Sequence, residues 1–309
     1  MNTIYRIYYA LPNFEQYGLG GKIFNKLLEL ILKRIFDAFV PAYFRRTQKK
    51  QGSGLNLIPR EKRYIISFTS FPARIDEVWI AAECMLRQTF KPDMIILWLS
   101  KQQFEGKILP ESLLSLKSRG LTIEFCEDDL KAHKKYYYAM QAFPKDHIIT
   151  LDDDLYYDEK TLEHVVKLHT KYPNLIAANR AHKIVITNEG IAKYKKWERR
   201  TTDSIPSHLI FSTGGGGTLY PPGALNATAF DIALIKSLCY QADDVWLKVM
   251  AILSDKKVIT NTHYSKNIIS ISKTQHEKLV THNVKSGGND EQLENLCAYF
   301  KIDLRKYAN

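Results

Sequence analysis

At 309 residues and 35.7 kDa, the chain is long enough for one substantial core with appendages, or for two modest domains at most. Hydrophobic residues at 45% and aromatics at 12% exclude general disorder, and 44 basic against 33 acidic residues give a net charge of +11 that attracts phosphate-bearing ligands, anionic headgroups or nucleic acid. Four scattered cysteines, Cys84, Cys126, Cys239 and Cys297, contain no CxxC pair, which argues against a zinc knuckle or a dense disulfide framework and fits a reducing cytosol.

The opening MNTIYRIYYALPNFEQ lacks a basic region followed by a long apolar stretch, so no secretory signal is expected. In GKIFNKLLELILKRIFDAFV (21–40), Phe24, Leu27, Leu28, Ile31, Ile35 and Phe39 recur at helical spacing, and RRTQKK follows. Its charges rule against a spanning helix. Two readings stay open for this amphipathic basic helix: packing on the main domain, or lying on the inner surface of a membrane. QGSGLNLIPREK (51–62) reads as a linker.

From residue 63 strands alternate with helices: RYIISFTSFPAR, the helical IDEVWIAAECMLRQT, MIILWLS, SLLSLKSRG closed by Gly120, LTIEFCE, the helical YYYAMQAF, then HIITL. This is the pattern of an α/β fold with a Rossmann-type, mostly parallel sheet flanked by helices, whose ligands sit beyond the carboxyl ends of the strands. The second half carries a helix at 161–173, two β-type pieces in 175–187, a glycine-rich loop at 211–225, a helix at 243–255, a short strand at 257–260 and a terminal helix at 291–302. The expected division is an N-terminal helical segment and linker (1–58), a main domain (59–270) and a C-terminal helical extension (271–309).

HIITLDDDLYY places three like charges at a strand end, which raises their pKa values unless something positive joins them. In extended chain Asp152 and Asp154 point one way and Asp153 the other, so the outer pair can converge on a hard divalent cation such as Mg²⁺ or Mn²⁺. A solvated acidic turn that caps the next helix is the competing reading. GGGGT (214–218) lets backbone approach a ligand closely. ADDVWLKVMA sets Asp243 and Asp244 at a helix start, where capping explains one carboxylate but not both.

In this order, ISFTSFPARI, KKYYYAMQAFPKDHIITLDDDLYY, GGGGTLYPPGAL and ADDVWLKVMA resemble the nucleotide-sugar glycosyltransferases of A-type (GT-A) fold, in particular bacterial enzymes of capsule or lipopolysaccharide assembly, over about residues 63–265. The resemblance implies a donor site from Thr69, Ser70, Pro72, Arg74 and Lys135, with Gly215 and Gly216 of the loop walling the sugar. It implies that Asp152 and Asp154 bind the metal and diphosphate, that Asp153 assists, and that His263 adds a metal ligand, with His282 as its substitute. Lys266 would neutralise diphosphate, and Asp244, or failing it Asp243, would be the base of an inverting transfer. The function implied is movement of a sugar from a nucleoside-diphosphate donor, uridine-linked, to a surface glycan or lipid-linked acceptor in the cytoplasm at the inner membrane face, without nucleic acid. The rivals are a metal-dependent phosphohydrolase or phosphotransferase, disfavoured because DDD follows the fourth strand and position 156 is Tyr, and a non-catalytic basic binding protein.

Overall fold

The computed structural model describes residues 2–12, 14–264, 266–275 and 287–308. Two helices, α1 (Asn2–Ala10) and α2 (Gly18–Thr47), precede an irregular stretch that ends at β1 (Tyr64–Thr69). Then come α3 (Val78–Leu86), β2 (Met94–Ser100), the single turns α4 (Lys101–Phe104) and α5 (Glu111–Leu114), β3 (Leu121–Cys126), α6 (Lys134–Ala142) and β4 (His147–Thr150). The second half contains α7 (Thr161–Lys171), β5 (Ile176–Ala178), β6 (Ala181–Lys183), β7 (Ile186–Thr187), β8 (Gly190–Ile191), β9 (Ile210–Ser212) and β10 (Thr218–Tyr220). It closes with α8 (Ile232–Leu238), α9 (Asp243–Leu253), β11 (Val258–Thr260) and α10 (Gly288–Tyr299).

Seven strands form one sheet in the order β11-β5-β10-β4-β1-β2-β3. All neighbours are parallel except β10, which runs antiparallel to both β4 and β5. Ile65-Ile66 and Ile95–Leu99 are apolar without alternation because both faces of the sheet are covered. Ile66, Leu97 and Ile149 pack with α1, α2, α3 and α7 on one face. Ile65, Ile96 and Ile148 pack with α6 on the other, where α8, α9 and α10 cover the β5–β11 side. The mostly parallel α/β architecture expected from the alternation is present, and β1, between β2 and β4, marks the point where the strand order reverses.

Two regions depart from expectation. The stretch read as a glycine-rich loop sends Thr218–Tyr220 into the middle of the sheet as β10. Three residues are too few for a strand period to show. The helix α2 runs through Pro41 to Thr47, and Leu32, Phe36, Val40 and Phe44 form its buried face. Phe24, Leu27, Ile31 and Phe39 of the expected stripe are exposed instead. Aromatic partners decide the orientation: Phe36 lies 5.0 Å from the ring of Tyr5 and 5.3 Å from Tyr156, and Phe44 lies 6.5 Å from Trp79. Gly21 lets α2 start beneath the preceding turn, because a Cβ there would sit 1.7 Å from the Phe14 carbonyl oxygen.

Candidate active site

The parallel pairing of β1 with β4, in register at Ser67 and Thr150, brings the turn after β1 beside the acidic turn after β4. Asp153 is buried, but it lies in a bend with Asp154 and both reach Arg74, so the alternation expected of extended chain is not kept. Ser70 Oγ donates to its Oδ2 at 2.6 Å and Arg74 Nη1 to its Oδ1 at 2.7 Å, and the same Nη1 lies 3.2 Å from Asp154 Oδ2. Both Asp153 oxygens are thereby engaged within the chain, and Asp153 and Ser70 hold the two turns together. Thr69 is likewise engaged, its Oγ1 donating to the Trp98 carbonyl at 2.8 Å. Pro72 opens the 3₁₀ turn Pro72–Arg74 that aims the guanidinium at the acids.

The acidic turn is clamped from behind. Tyr157 Oη accepts from the Asp152 amide at 2.9 Å and donates to the Asp152 carbonyl at 3.1 Å. The Ile271 amide donates to the Asp154 carbonyl at 2.8 Å, and the Tyr156 amide to the Ile269 carbonyl at 2.9 Å.

At the start of α6 the two adjacent lysines separate. Lys134 pairs with Asp129 at 2.6 Å, whereas Lys135 is buried with its Nζ 2.8 Å from Asp152 Oδ1 and 2.9 Å from Asp243 Oδ2. Lys135 therefore ties the acidic turn to α9. Asp243 and Asp244 open that helix without a side-chain cap. Asp244 instead accepts the Gly214 amide, 3.0 Å from Oδ1 and 3.2 Å from Oδ2. The glycine loop lies directly on these groups. A Cβ at Gly214 would stand 2.8 Å from Lys135 Nζ and 3.1 Å from Asp244 Oδ1, and one at Gly215 would stand 3.1 Å from Asp152 Oδ2.

Charge divides the cluster. Burial, then the Asp243 charge beside it, pushes the Asp244 carboxyl up to about 8. Burial acts to raise Asp243, but the charges of Lys135 and His133 together with the hydrogen bond from Lys135 hold it below the usual carboxylate range. Burial acts to lower Lys135, yet Asp152 and Asp243 hold it well above an ordinary lysine. Burial raises Asp153 despite Arg74.

Five carboxyl groups, Asp152, Asp153, Asp154, Asp243 and Asp244, are gathered around two cations, Arg74 and Lys135, which leaves negative charge in excess. The partly exposed residues are Asp152, whose side chain is 36% exposed, Asp154 at 18%, and Asp244, which is half-buried. Among the described residues no three His, Cys, Asp or Glu side chains are arranged to hold a metal ion. Two carboxylates suit Mg²⁺ or Mn²⁺ only if water and substrate phosphate complete the shell, which is the usual habit of Mg²⁺.

Two expected contributors are engaged elsewhere. The His263 ring packs 5.1 Å from Tyr9 and 4.6 Å from His164, on the wall of a cleft of about 700 Å³ that it shares with Thr3, Arg6 and Ile7. Its position after β11 gives no signal of ring direction, and α1, for which the sequence offered no reading, supplies the aromatic neighbour. Lys266 donates to the Tyr8 carbonyl and, at 2.6 Å, to the Leu11 carbonyl, where a cation satisfies the last carbonyls of α1. His282 lies outside the described residues.

Sequence reasoning missed Arg180, which follows β5 at the carboxyl edge of the sheet. Its Nη1 donates to Thr213 Oγ1 at 3.0 Å and its Nη2 to Asn267 Oδ1 at 3.3 Å, both neutral acceptors. Gly216 rests on it, since a Cβ there would be 2.5 Å from Arg180 Cβ. The glycine loop is thus held between the acidic cluster and a guanidinium. The available signal was a lone arginine directly after a strand, in AANRAH. No protein-family model matches the chain, and no curated protein matches it.

Proposed function

We propose that the chain is a metal-dependent glycosyltransferase of GT-A type that moves a sugar from a nucleoside-diphosphate donor, uridine-linked, to the hydroxyl of a glycan or lipid-linked acceptor. The observation that carries this reading is Asp244. It is a carboxyl with its pKa pushed up to about 8, held against the Gly214 amide beside a lysine that joins the neighbouring Asp243 to the acidic turn. A general base is most effective when its pKa lies near the working pH, and a like-charged neighbour in a buried setting is how a carboxyl reaches that range.

Asp244 takes the proton of the acceptor hydroxyl as that oxygen attacks the anomeric carbon. The bond from that carbon to the diphosphate breaks, and the nucleoside diphosphate leaves with the electron pair. Asp243 keeps its charge through Lys135 and thereby keeps Asp244 basic. A Mg²⁺ or Mn²⁺ ion on Asp152 and Asp154 would supply positive charge to the departing diphosphate. Arg74, fixed by Asp153 and Asp154, sets the shape of that surface, and the glycine loop, whose lack of Cβ atoms lets its backbone lie against Asp152, forms a wall of the sugar pocket.

The test is a thermal-shift panel of nucleoside diphosphates and nucleotide sugars with and without Mn²⁺, followed by diphosphate release from whichever donor binds. Stabilisation by one nucleotide that depends on metal, with release lost in Asp244→Asn, is the expected result. A protein that responds to none of the panel would overturn the reading.

A further inference from the structure

The helix α2 is apolar on two faces. Its inner face, Leu32, Phe36, Val40 and Phe44, is buried in the main core. On the opposite side Leu19, Ile23, Phe24, Leu27, Leu30 and Ile31 are each at least half exposed, from 50% to 75%. Positions 19, 23, 27 and 30 follow i, i+4, i+8 and i+11, so they form one stripe along the first half of the helix. A contiguous apolar stripe of this kind on an outer surface marks an interaction site.

The charges of α2 are sorted by face. Its two acids turn inward: Glu29 Oε1 accepts from Tyr8 Oη at 3.3 Å and Asn267 Nδ2 at 3.0 Å, and Asp37 Oδ1 accepts from Tyr156 Oη at 2.9 Å and the Ser272 amide at 3.1 Å. The cations Lys22, Lys26, Arg34, Arg45 and Arg46 are exposed, as are Lys49 and Lys50 just beyond. The outward surface of this helix is therefore apolar and positive, with no acid of its own. A second copy would bring like charges together across the contact, which opposes self-association. An anionic lipid surface takes both features at once, the stripe at the acyl boundary and the cations at the headgroups.

We propose that α2 is an interfacial helix that lies in the plane of an anionic bilayer surface on its Leu19–Ile31 stripe. Among the described residues no helix is long and apolar enough to cross a membrane, so contact is made from one side. The inner face of the same helix braces the segment that follows the acidic turn, because Asp37 and Phe36 hold Tyr156, two residues beyond it. Docking then fixes the height of that turn above the lipid. The proposal does not depend on the glycosyltransferase reading.

The full chain is mixed with vesicles of phosphatidylcholine alone or of phosphatidylcholine with phosphatidylglycerol, and floated on a density gradient. It is expected to float with the anionic vesicles, to be released by added salt, and to stay behind with the neutral ones. The double variant Leu27→Ser, Ile31→Ser changes only exposed side chains, so its melting temperature is expected to be unchanged while its vesicle affinity falls more than about tenfold. Arg45→Glu with Arg46→Glu is expected to weaken binding to anionic vesicles as well. Failure of the wild-type chain to float, or equal flotation of the serine variant, would overturn the proposal. So would a dimer seen by sedimentation velocity without lipid that the serine variant dissociates, because the stripe would then belong to a second copy. Donor binding, read by thermal shift on the same serine variant, reports on the catalytic reading separately.

Discussion

The two sides of the acidic cluster are built from the same side chain and are treated in opposite ways. On the Asp153 side both carboxylate oxygens are hydrogen-bonded, one by Ser70 and one by Arg74, and the group is sealed into the turn. On the Asp244 side a single backbone amide serves the carboxyl, a second aspartate stands next to it, and the nearest cation is already divided between Asp152 and Asp243. A fully satisfied carboxylate holds a structure in place. One that is buried with a like-charged neighbour stores the free energy that makes it a base.

The sharpest way to break this comparison is Asp244→Asn. If Asp244 is the base, the variant keeps the Gly214 contact and the fold but loses about a thousandfold in turnover, within the usual range for removing a general base. Steady-state diphosphate release measures it, and wild-type turnover in the variant would move the base elsewhere. The mirror experiment is Arg74→Ala, which strips the counter-ion from Asp153. Leaving a buried charge without its partner costs roughly 3 kcal/mol, so chemical denaturation is expected to show the larger loss here and the smaller one in Asp244→Asn. Equal losses would mean that the two sides do not differ in kind.

A weaker effect sharpens the role of the loop between them. In Gly216→Ala the new Cβ would meet Arg180 Cβ at 2.5 Å and the Arg180 backbone nitrogen at 2.9 Å, so the loop must shift away from the Arg180 backbone. We expect stability to fall by about 1–2 kcal/mol with donor binding weakened. The comparison is made against Gly223→Ala, where a positive φ of +71 adds strain but nothing lies within 4 Å, so that stability falls while donor binding holds.

How much of this was legible in the sequence follows from how local each feature is. The strands β1 to β4 were visible because buried parallel strands are unbroken apolar runs, and Gly120, at φ +115, closes its turn as its position before a strand suggests. The alternation read for the three aspartates did not hold, because Asp153 and Asp154 lie in a bend and both reach Arg74. The identity of that counter-ion was not legible, since Arg74 arrives from 79 positions away and pairing is set by the register of β1 on β4. The need for positive charge was read correctly as a need, but two of the cations that meet it belong to the chain. For α2 the periodicity revealed amphipathicity without revealing which of two apolar faces turns inward, because Tyr5, Tyr156 and Trp79 decide that from other elements. His263 and Lys266 were assigned by place along the chain alone, and α1 claims both.

The smallest effect isolates the electrostatic claim from catalysis. A carboxyl whose folded pKa is about 8, against an ordinary 3.8, stays protonated in the folded chain after the unfolded chain has released its proton. The folded state then binds more protons, so this group makes stability fall as pH rises between those values and level off above 8. The lower part of that window is shared with the histidines that burial lowers, His133 and His147 to about 4 and His182 to about 3 among them, which make stability fall as pH drops below 6.5. Above pH 7 Lys248, brought down to about 7 by burial, acts in the opposite sense to Asp244, because the unfolded chain there binds the extra proton. The wild-type curve alone therefore mixes three contributions of differing sign. The difference between wild type and Asp244→Asn removes the histidines and the lysine, and from pH 6.5 to 8 the variant should gain on the order of 1 kcal/mol relative to wild type. Urea midpoints at the two pH values measure it. A difference that does not change with pH would mean that Asp244 titrates as an ordinary carboxylate, and the contrast between the two sides of the cluster would lose its electrostatic basis.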